Sequence, residues 1–392
     1  MIETSRKYFS HLIYLFVCIS AVFYIPFSGQ EGIDPIVHAY NMSEFFFKFG
    51  VISLFAISQF LRPARTGDYR LLSAFLLCLV FSSLLNGMNL GARRALTNVG
   101  LGILFYKTIV EYIDFKTVKH FGWWVLGLIG INFLMMTFQY FNIDPLYTHI
   151  DKVRLNLPEI AYDERMVGFM RLKVNVGVFG AIAGACLSFI NPLLSIFALP
   201  FLWLGNASSA IVAFIISMSL ILYFKLKKIV WVLVIASIIG LGSAYIIKHD
   251  MPLGQFQERF KLWHASTGVV LKTNPILGLG AGSFSRMGFQ TKQGDGFENI
   301  NWAWLHNEPL QVFFEGGLVC FSILILFLIR QTKDFLTFKH IKEIPVLYAF
   351  LLTIFLVSLL QFPFHVGKFA SLSILALALF HTGVRECQSL SL

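Results

Sequence analysis

Long apolar runs broken by short polar stretches recur along almost the whole chain, and they restrict its fold more than any motif does. They fall near 8–27, 43–61, 70–87, 96–113, 121–141, 173–190, 192–206, 208–224, 229–247, 309–329, 344–361 and 368–384, the seventh being short and poorly separated from its neighbours. A helix needs about 20 mostly apolar residues to cross a bilayer, so the pattern predicts an all-α, polytopic integral membrane protein of about twelve spans. Composition agrees. Of 392 residues, 57% are hydrophobic and 13% charged, against about 25% charged in a soluble domain. A cytosolic enzyme and a disordered chain are both excluded. The residues outside the runs are too few for a separate soluble catalytic domain. Residues 1–392 therefore read as a single membrane domain, with any chemistry at or in the membrane.

A net charge of +10 would suggest nucleic acid in a soluble protein, but in a membrane protein basic residues mark cytoplasmic loops. Taking the N-terminus as cytoplasmic places Arg6 and Lys7, Arg62, Arg65 and Arg70, Lys116 and Lys119, Lys225, Lys227 and Lys228, Arg330, Lys333, Lys339 and Lys342, and Arg385 inside. The short outer loop 28–42 then holds none, so both termini are expected in the cytoplasm. Two long outer segments remain, 142–172 and 248–308. Their basic residues, Lys152, Arg154, Arg165 and Arg171 in the first and Lys248, Arg259, Lys261, Lys272, Arg286 and Lys292 in the second, are not explained by orientation, because long loops translocate regardless of charge. They are either solvated loop charge or grips for an anionic lipid headgroup. Cys18, Cys78, Cys186 and Cys320 fall in expected spans and Cys387 in the expected cytoplasmic tail, so no disulfide framework is expected. Arg6 and Lys7 precede an apolar run too long for a signal peptide and without a small-x-small cleavage site, which reads as an uncleaved first span.

The glycine cluster Gly278-Leu279-Gly280-Ala281-Gly282 lacks the last glycine and the strand-turn-helix context of a dinucleotide fingerprint. Walker, His-Glu-x-x-His and Asp-x-Asp motifs are also absent from the sequence, so metal and nucleotide chemistry are disfavoured and no cofactor is expected. The informative stretch runs from Trp302 to Gly317, where the second outer segment enters the tenth apolar run. Asn307 suits a helix N-cap and Pro309 a first helical turn, which puts a helix N-terminus, a natural phosphate site, at the outer membrane surface. Glu308, Gln311 and Glu315 then share one helix face, and Trp302 and Trp304 suit the interfacial belt. His306 is either an interfacial histidine satisfied by water or a functional group. Glu315 lies more than a turn inside an apolar helix, where a carboxylate faces a partner, an arginine or a wet cavity. Lys107 and Glu111 read as a structural i,i+4 pair, and Lys48 as a snorkelling lysine. Phe256, Phe260 and Trp263 recur at helical spacing, which predicts an amphipathic helix on the membrane surface. Arg259 on that helix is either solvated or placed to grip a phosphate bidentately, and Arg165 and Arg171 are the matching candidates from the first outer segment.

Arg259-x-x-x-Trp263, then Asn274-Pro275-Ile276-Leu277-Gly278-Leu279-Gly280-Ala281-Gly282-Ser283-Phe284, His306-Asn307 and Gln311-x-x-x-Glu315-Gly316-Gly317 together resemble the C-terminal signature of the bacterial O-antigen ligase and O-antigen polymerase superfamily. Arg165-x-x-Gly168 and Asn175 resemble the pattern that opens that family's mid-chain span, so the resemblance covers roughly 160–330. Two departures stand out. Cys320 occupies the place where ligases carry Gly, Thr or Tyr, and Asn206-Ala207-Ser208-Ser209-Ala210 lacks the arginine found beside the serine in many members.

The resemblance implies a metal-independent glycosyltransferase of the bacterial inner membrane, acting on its periplasmic face. Its donor would be an undecaprenyl-diphosphate-linked glycan and its acceptor lipid A-core or another glycan. It also implies His306 as general base, with a pKa near neutrality, Asn307 and Glu315 orienting it, and Arg259, Arg165 and Arg171 holding the diphosphate. Ligase is the first reading and repeat-unit polymerase the alternative, with protein O-oligosaccharyltransferase a variant of the same chemistry. A lipid-linked anion transporter ranks below these. It predicts internal repeats, broken helices near mid-membrane and deep charges, whereas the polar residues here gather at one face.

Overall fold

Every apolar run contains a helix except 229–247, which lies outside the residues described by the computed structural model: 2–22, 35–61, 69–141, 173–205, 207–225, 253–292, 299–301, 305–361 and 367–390. In chain order the helices are α1 (Ile2–Val22), α2 (Pro35–Ser58), α3 (Arg70–Leu85), α4 (Leu90–Tyr112), α5 (Val118–Tyr140), α6 (Lys173–Leu187), α7 (Leu199–Gly205), α8 (Ser208–Lys225), α9 (Leu253–Thr273), α10 (Ser283–Met287), α11 (Glu308–Phe338), α12 (Ile344–Ser358) and α13 (Gly367–Leu390). Two three-residue strands, β1 (Gln290–Lys292) and β2 (Asn299–Asn301), pair antiparallel with Thr291 opposite Ile300. Phe115–Tyr140 and Glu308–Phe338 are each long and apolar enough to cross a membrane; other apolar helices among the described residues are shorter, Arg70–Leu85 and Ile344–Ser358 among them.

Side-chain chemistry sets several of the boundaries. Asn89 caps α4 by accepting from the Ala92 N–H at 3.0 Å, and Asp114 starts the turn before α5 by accepting from Lys116 N–H at 3.0 Å. The poorly separated seventh run is not one helix. A 3₁₀ segment, Pro192–Ala198, gives way to α7 at Leu199, because Pro200 has no N–H for a continuing ladder yet fits the first turn of a new helix. The tenth run extends to Phe338, past Arg330, Lys333 and Asp334. Cys387 lies not in a free tail but in the last turns of α13, where it is buried.

The main core is drawn from α1, α2, α4, α5, α6, α7, α8, α12 and α13, with Phe335 from the far end of α11. α6 is buried along nearly its whole described length, and its glycines make this possible. A Cβ on Gly180 would lie 2.9 Å from the Phe201 Cβ and 3.2 Å from the Ala198 carbonyl oxygen, so the bare backbone is what lets α7 and its preceding turn approach. α8 packs on α6 and α12, and α13 packs on α4. Lys107 and Glu111 meet on a third residue: the Lys107 Nζ sits 6.0 Å from the Tyr69 ring centre, and the Tyr69 hydroxyl donates to Glu111 Oε1 at 3.0 Å. A smaller cluster, Leu262, Val270, Leu279, Phe284, Leu305 and Phe314, ties α9, α10 and the top of α11 together and forms the floor of the site.

Candidate functional site

α11 is broken two turns from its start. Gly317 has φ 63° and ψ −165°, which interrupts the hydrogen-bond ladder inside an apolar helix. Backbone groups freed in such a helix need partners, and the glycine-rich loop supplies them. Leu279 N–H donates to the Phe314 carbonyl at 3.0 Å and Gly280 N–H to the Glu315 carbonyl at 2.8 Å, while Leu318 N–H and Val319 N–H donate to the Pro275 and Ile276 carbonyls at 2.9 and 3.2 Å. α3 braces the crossing. The Ser82 hydroxyl donates to the Glu315 carbonyl at 3.0 Å, Asn86 Nδ2 donates to the Gly278 carbonyl at 3.1 Å, and the Ser83 hydroxyl accepts from Ala281 N–H at 2.9 Å. The two glycine motifs in the sequence are therefore the two halves of one joint.

Above this joint the chain enters α11 through Leu305, His306 and Asn307. Leu305 is clamped on both sides: its carbonyl accepts from Trp263 Nε1 at 2.7 Å, and its N–H donates to Gln311 Oε1 at 3.1 Å. The Gln311 amide is fixed in turn by donating to Glu315 Oε1 at 2.6 Å. Glu315 is thus buried and engaged through Gln311, on the helix face expected from its spacing. Asn307 caps α11 by accepting from Leu310 N–H at 2.9 Å, and its Nδ2 donates to the Leu359 carbonyl at 3.0 Å. His306 has φ 53° and is the one non-glycine residue in the left-handed region among the described residues. Such a conformation costs about 1–2 kcal/mol and is held here by the pinned residues on either side.

The end of α12 is where the parts meet. Arg259 Nη1 donates to the Leu360 carbonyl at 2.9 Å and Asn307 donates to the neighbouring Leu359 carbonyl, so Asn307, next to His306, and Arg259 meet the chain just after α12. Burial pushes the His306 pKa down to about 4; the nearby Arg259 charge lowers it further and the Gln361 side chain opposes both. The expected near-neutral histidine is therefore corrected to one that stays neutral at physiological pH, since a buried imidazole loses the hydration its cation needs. Burial also lowers the Arg259 pKa, but an arginine keeps its charge.

This shift has a consequence for stability. The unfolded chain binds a proton at His306 near pH 6.5 and the folded chain only near 4, so stability is lost as pH falls through that window. Melting temperatures compared at pH 7 and pH 5 are expected to drop more in wild type than in His306→Asn. Equal drops would show that the fold does not hold this imidazole neutral.

Of the six site residues expected from sequence, Arg259, His306, Asn307 and Glu315 lie in this assembly, while Arg165 and Arg171 lie outside the described residues, as do Trp302 and Trp304. Sequence reasoning missed the Leu359 and Leu360 carbonyls, for which the sequence carries no local signal. Residues 192–325 match the O-antigen ligase family. Over that segment, about a third of the chain, the sequence is similar to the O-antigen ligase and polymerase superfamily. The ligase-family segment contains Arg259, both glycine motifs, His306, Asn307, Gln311 and Glu315, and stops short of Leu359 and Leu360. No curated protein matches the chain. The family match supports a glycosyltransferase-type membrane enzyme of lipopolysaccharide biosynthesis, acting on lipid-linked glycans in general.

Proposed function

We propose that the protein is an O-antigen ligase-type glycosyltransferase of the bacterial inner membrane. It moves a glycan from undecaprenyl diphosphate to a sugar hydroxyl of lipid A-core on the periplasmic face, within a fold of about twelve spans whose termini are cytoplasmic. The observation that carries this reading is the convergence of Arg259 and of Asn307, which is next to His306, from two separate stretches of sequence on the Leu359 and Leu360 carbonyls just after α12. In the reaction the acceptor hydroxyl oxygen bonds to the anomeric carbon as the bond from that carbon to the phosphate oxygen breaks. The diphosphate leaves with the electron pair, and the hydroxyl proton passes to His306. Burial leaves His306 unprotonated at physiological pH and so able to accept that proton, although the same burial makes it a weaker base than a solvated imidazole.

Negative charge grows on the diphosphate as it leaves, and a fixed guanidinium beside the N-terminus of α11 stabilises it. Leu360 engages one nitrogen of Arg259, and a guanidinium has five N–H donors in a planar fork, so donors remain for a phosphate. Arg165 and Arg171 are proposed for the same task. Glu315 acts at a distance, through Gln311 and Leu305, by fixing the loop that carries His306.

Arg259→Lys is expected to lower transfer at least about tenfold, because a point charge does not replace a bidentate fork. The check is the glycan transferred per unit time in membranes matched for protein level, and unchanged turnover would reduce Arg259 to a loop charge. The function itself is tested by deleting the gene in its host, complementing with wild type or His306→Asn, and resolving the surface polysaccharide on a gel. Loss of the whole ladder with accumulation of long lipid-linked chains is expected. A core bearing a single repeat unit would instead identify a polymerase, and an unchanged ladder would overturn both readings.

A further inference from the structure

At the far end of α11 from His306 the chain turns into α12 through Lys339-His340-Ile341-Lys342-Glu343. The turn is tight: Ile341 N–H donates to the Phe338 carbonyl at 3.0 Å and Ile344 N–H to the Ile341 carbonyl at 3.1 Å. Ile344 is buried and Ile341 packs against the main core, which leaves Lys339, His340 and Lys342 exposed. These three line one side of a cavity of about 330 Å³ between α8 and the start of α12. α11 is long and apolar enough to cross a bilayer, which puts the cavity at the membrane face opposite the candidate site. We propose that it binds the phosphate headgroup of an anionic phospholipid in that leaflet. The proposal is independent of the transfer chemistry.

The other side of the cavity is apolar and built in advance. Ile221 and Phe224 of α8 line it, with Val346 of α12. The Phe224 ring meets the Phe335 ring edge-on at 5.8 Å, and Phe335 stacks on Tyr348 at 4.2 Å, so this wall is backed by a stack of rings. Orientation alone accounts for lysines at this end of the molecule, and the dipole of α11 favours a cation in its last turn. Neither accounts for a cavity that sets two ammonium groups and an imidazole against an apolar wall. Among the described residues no carboxylate pairs with any of the three, and Glu343, the one acid of the turn, does not line the cavity.

A phosphodiester matches this lining. Its oxygens accept what ammonium and ring N–H groups donate, and the glycerol and first methylenes beyond it gain from an apolar surface. The volume lies at the small end of the range for ligand sites, which suits a headgroup and excludes a glycan. Basic pockets between helices on the cytoplasmic side are a recurrent form of headgroup site. A zwitterionic lipid carries the same phosphate together with an ammonium that two lysines repel, so the cavity selects for net negative charge.

The test counts bound lipid. Purified full-length wild type and Lys339→Gln/Lys342→Gln are titrated in neutral detergent with phosphatidylglycerol or phosphatidylethanolamine. Lys119→Gln/Lys333→Gln removes the same charge from two other exposed lysines expected on the same face, as a control. Native mass spectra give the Kd of the first lipid bound, and a competition arm adds inorganic phosphate at the lipid concentration. Melting in lipid-free detergent checks that each variant is folded.

Wild type is expected to bind phosphatidylglycerol at least about fivefold more tightly than phosphatidylethanolamine, and the cavity variant to lose about 25-fold in phosphatidylglycerol affinity, about fivefold for each lysine beside a headgroup. The control should stay within about twofold of wild type, since exposed charges away from the headgroup are screened. An unchanged Kd in the cavity variant, an equal loss in the control, or no preference of wild type between the lipids would each overturn the proposal. Displacement of phosphatidylglycerol by an equal concentration of inorganic phosphate would overturn the lipid assignment in favour of a free phosphate. Should the double variant fail to fold, Lys339→Gln and Lys342→Gln decide singly, and wild-type affinity in both would overturn the proposal.

Discussion

His306→Asn is expected to abolish transfer, lowering kcat/KM by about 10²–10⁴, the usual contribution of a positioned general base, while the protein accumulates and melts as wild type does at neutral pH. The choice of asparagine follows from the backbone. With φ 53°, His306 occupies a conformation that asparagine adopts readily and alanine does not. His306→Ala would combine loss of the imidazole with a strained loop entry, and its failure would be ambiguous. Asparagine leaves the entry to α11 intact and removes only the base. Transfer measured in vitro, with thermal melting in the same detergent as control, separates the two contributions. A variant that turns over at the wild-type rate would remove His306 from the chemistry.

Gly317→Ala is expected to cost more than any exchange of a polar residue in the site, and to cost it in folding. At φ 63° and ψ −165° only glycine is comfortable, and a side chain adds about 1–3 kcal/mol of backbone strain. A Cβ there would also lie 2.3 Å from the Ile276 carbonyl oxygen and 2.4 Å from the Gly278 nitrogen. Both are backbone atoms that cannot swing aside, so overpacking adds about another 1–3 kcal/mol. The expected result is a protein that accumulates poorly and melts well below wild type.

Gly278→Ala should behave alike, because its Cβ would approach the Gly317 nitrogen to 2.4 Å from the other side. The double variant should be less damaging than the sum of the singles, since each breaks the same crossing. A Gly317→Ala protein as stable as wild type would mean that the joint tolerates a side chain and is not what holds the break.

The apolar runs and the cap residues Asn89 and Asn307 were legible in the sequence, because periodicity and capping act over a few residues. The helix at Glu308 starts where Asn307 and Pro309 said it would. The purpose of the glycines was not legible. Gly278 and Gly317 are far apart in the chain, and only the fold shows that one loop completes the broken ladder of one helix. The Leu359 and Leu360 carbonyls went unremarked for a related reason, since nothing local marks a backbone carbonyl that will meet Asn307 or Arg259. The pKa of His306 was misjudged because composition gives residue type and not burial.

The joint at Gly317 also orders events during biogenesis. The loop 274–282 leaves the ribosome before α11, and neither has the partners it needs until the other is in place. α11 is expected to meet the bilayer first as a plain apolar helix, since in hydrocarbon an intact hydrogen-bond ladder is the stable state. The bend would then form on docking, when the amides and carbonyls of the loop pair with those of the helix. The loop that carries His306 leads into the upper half of that helix, so it is expected to reach its final position only in the last step of assembly, and a protein stalled before that step would be inserted without a formed site.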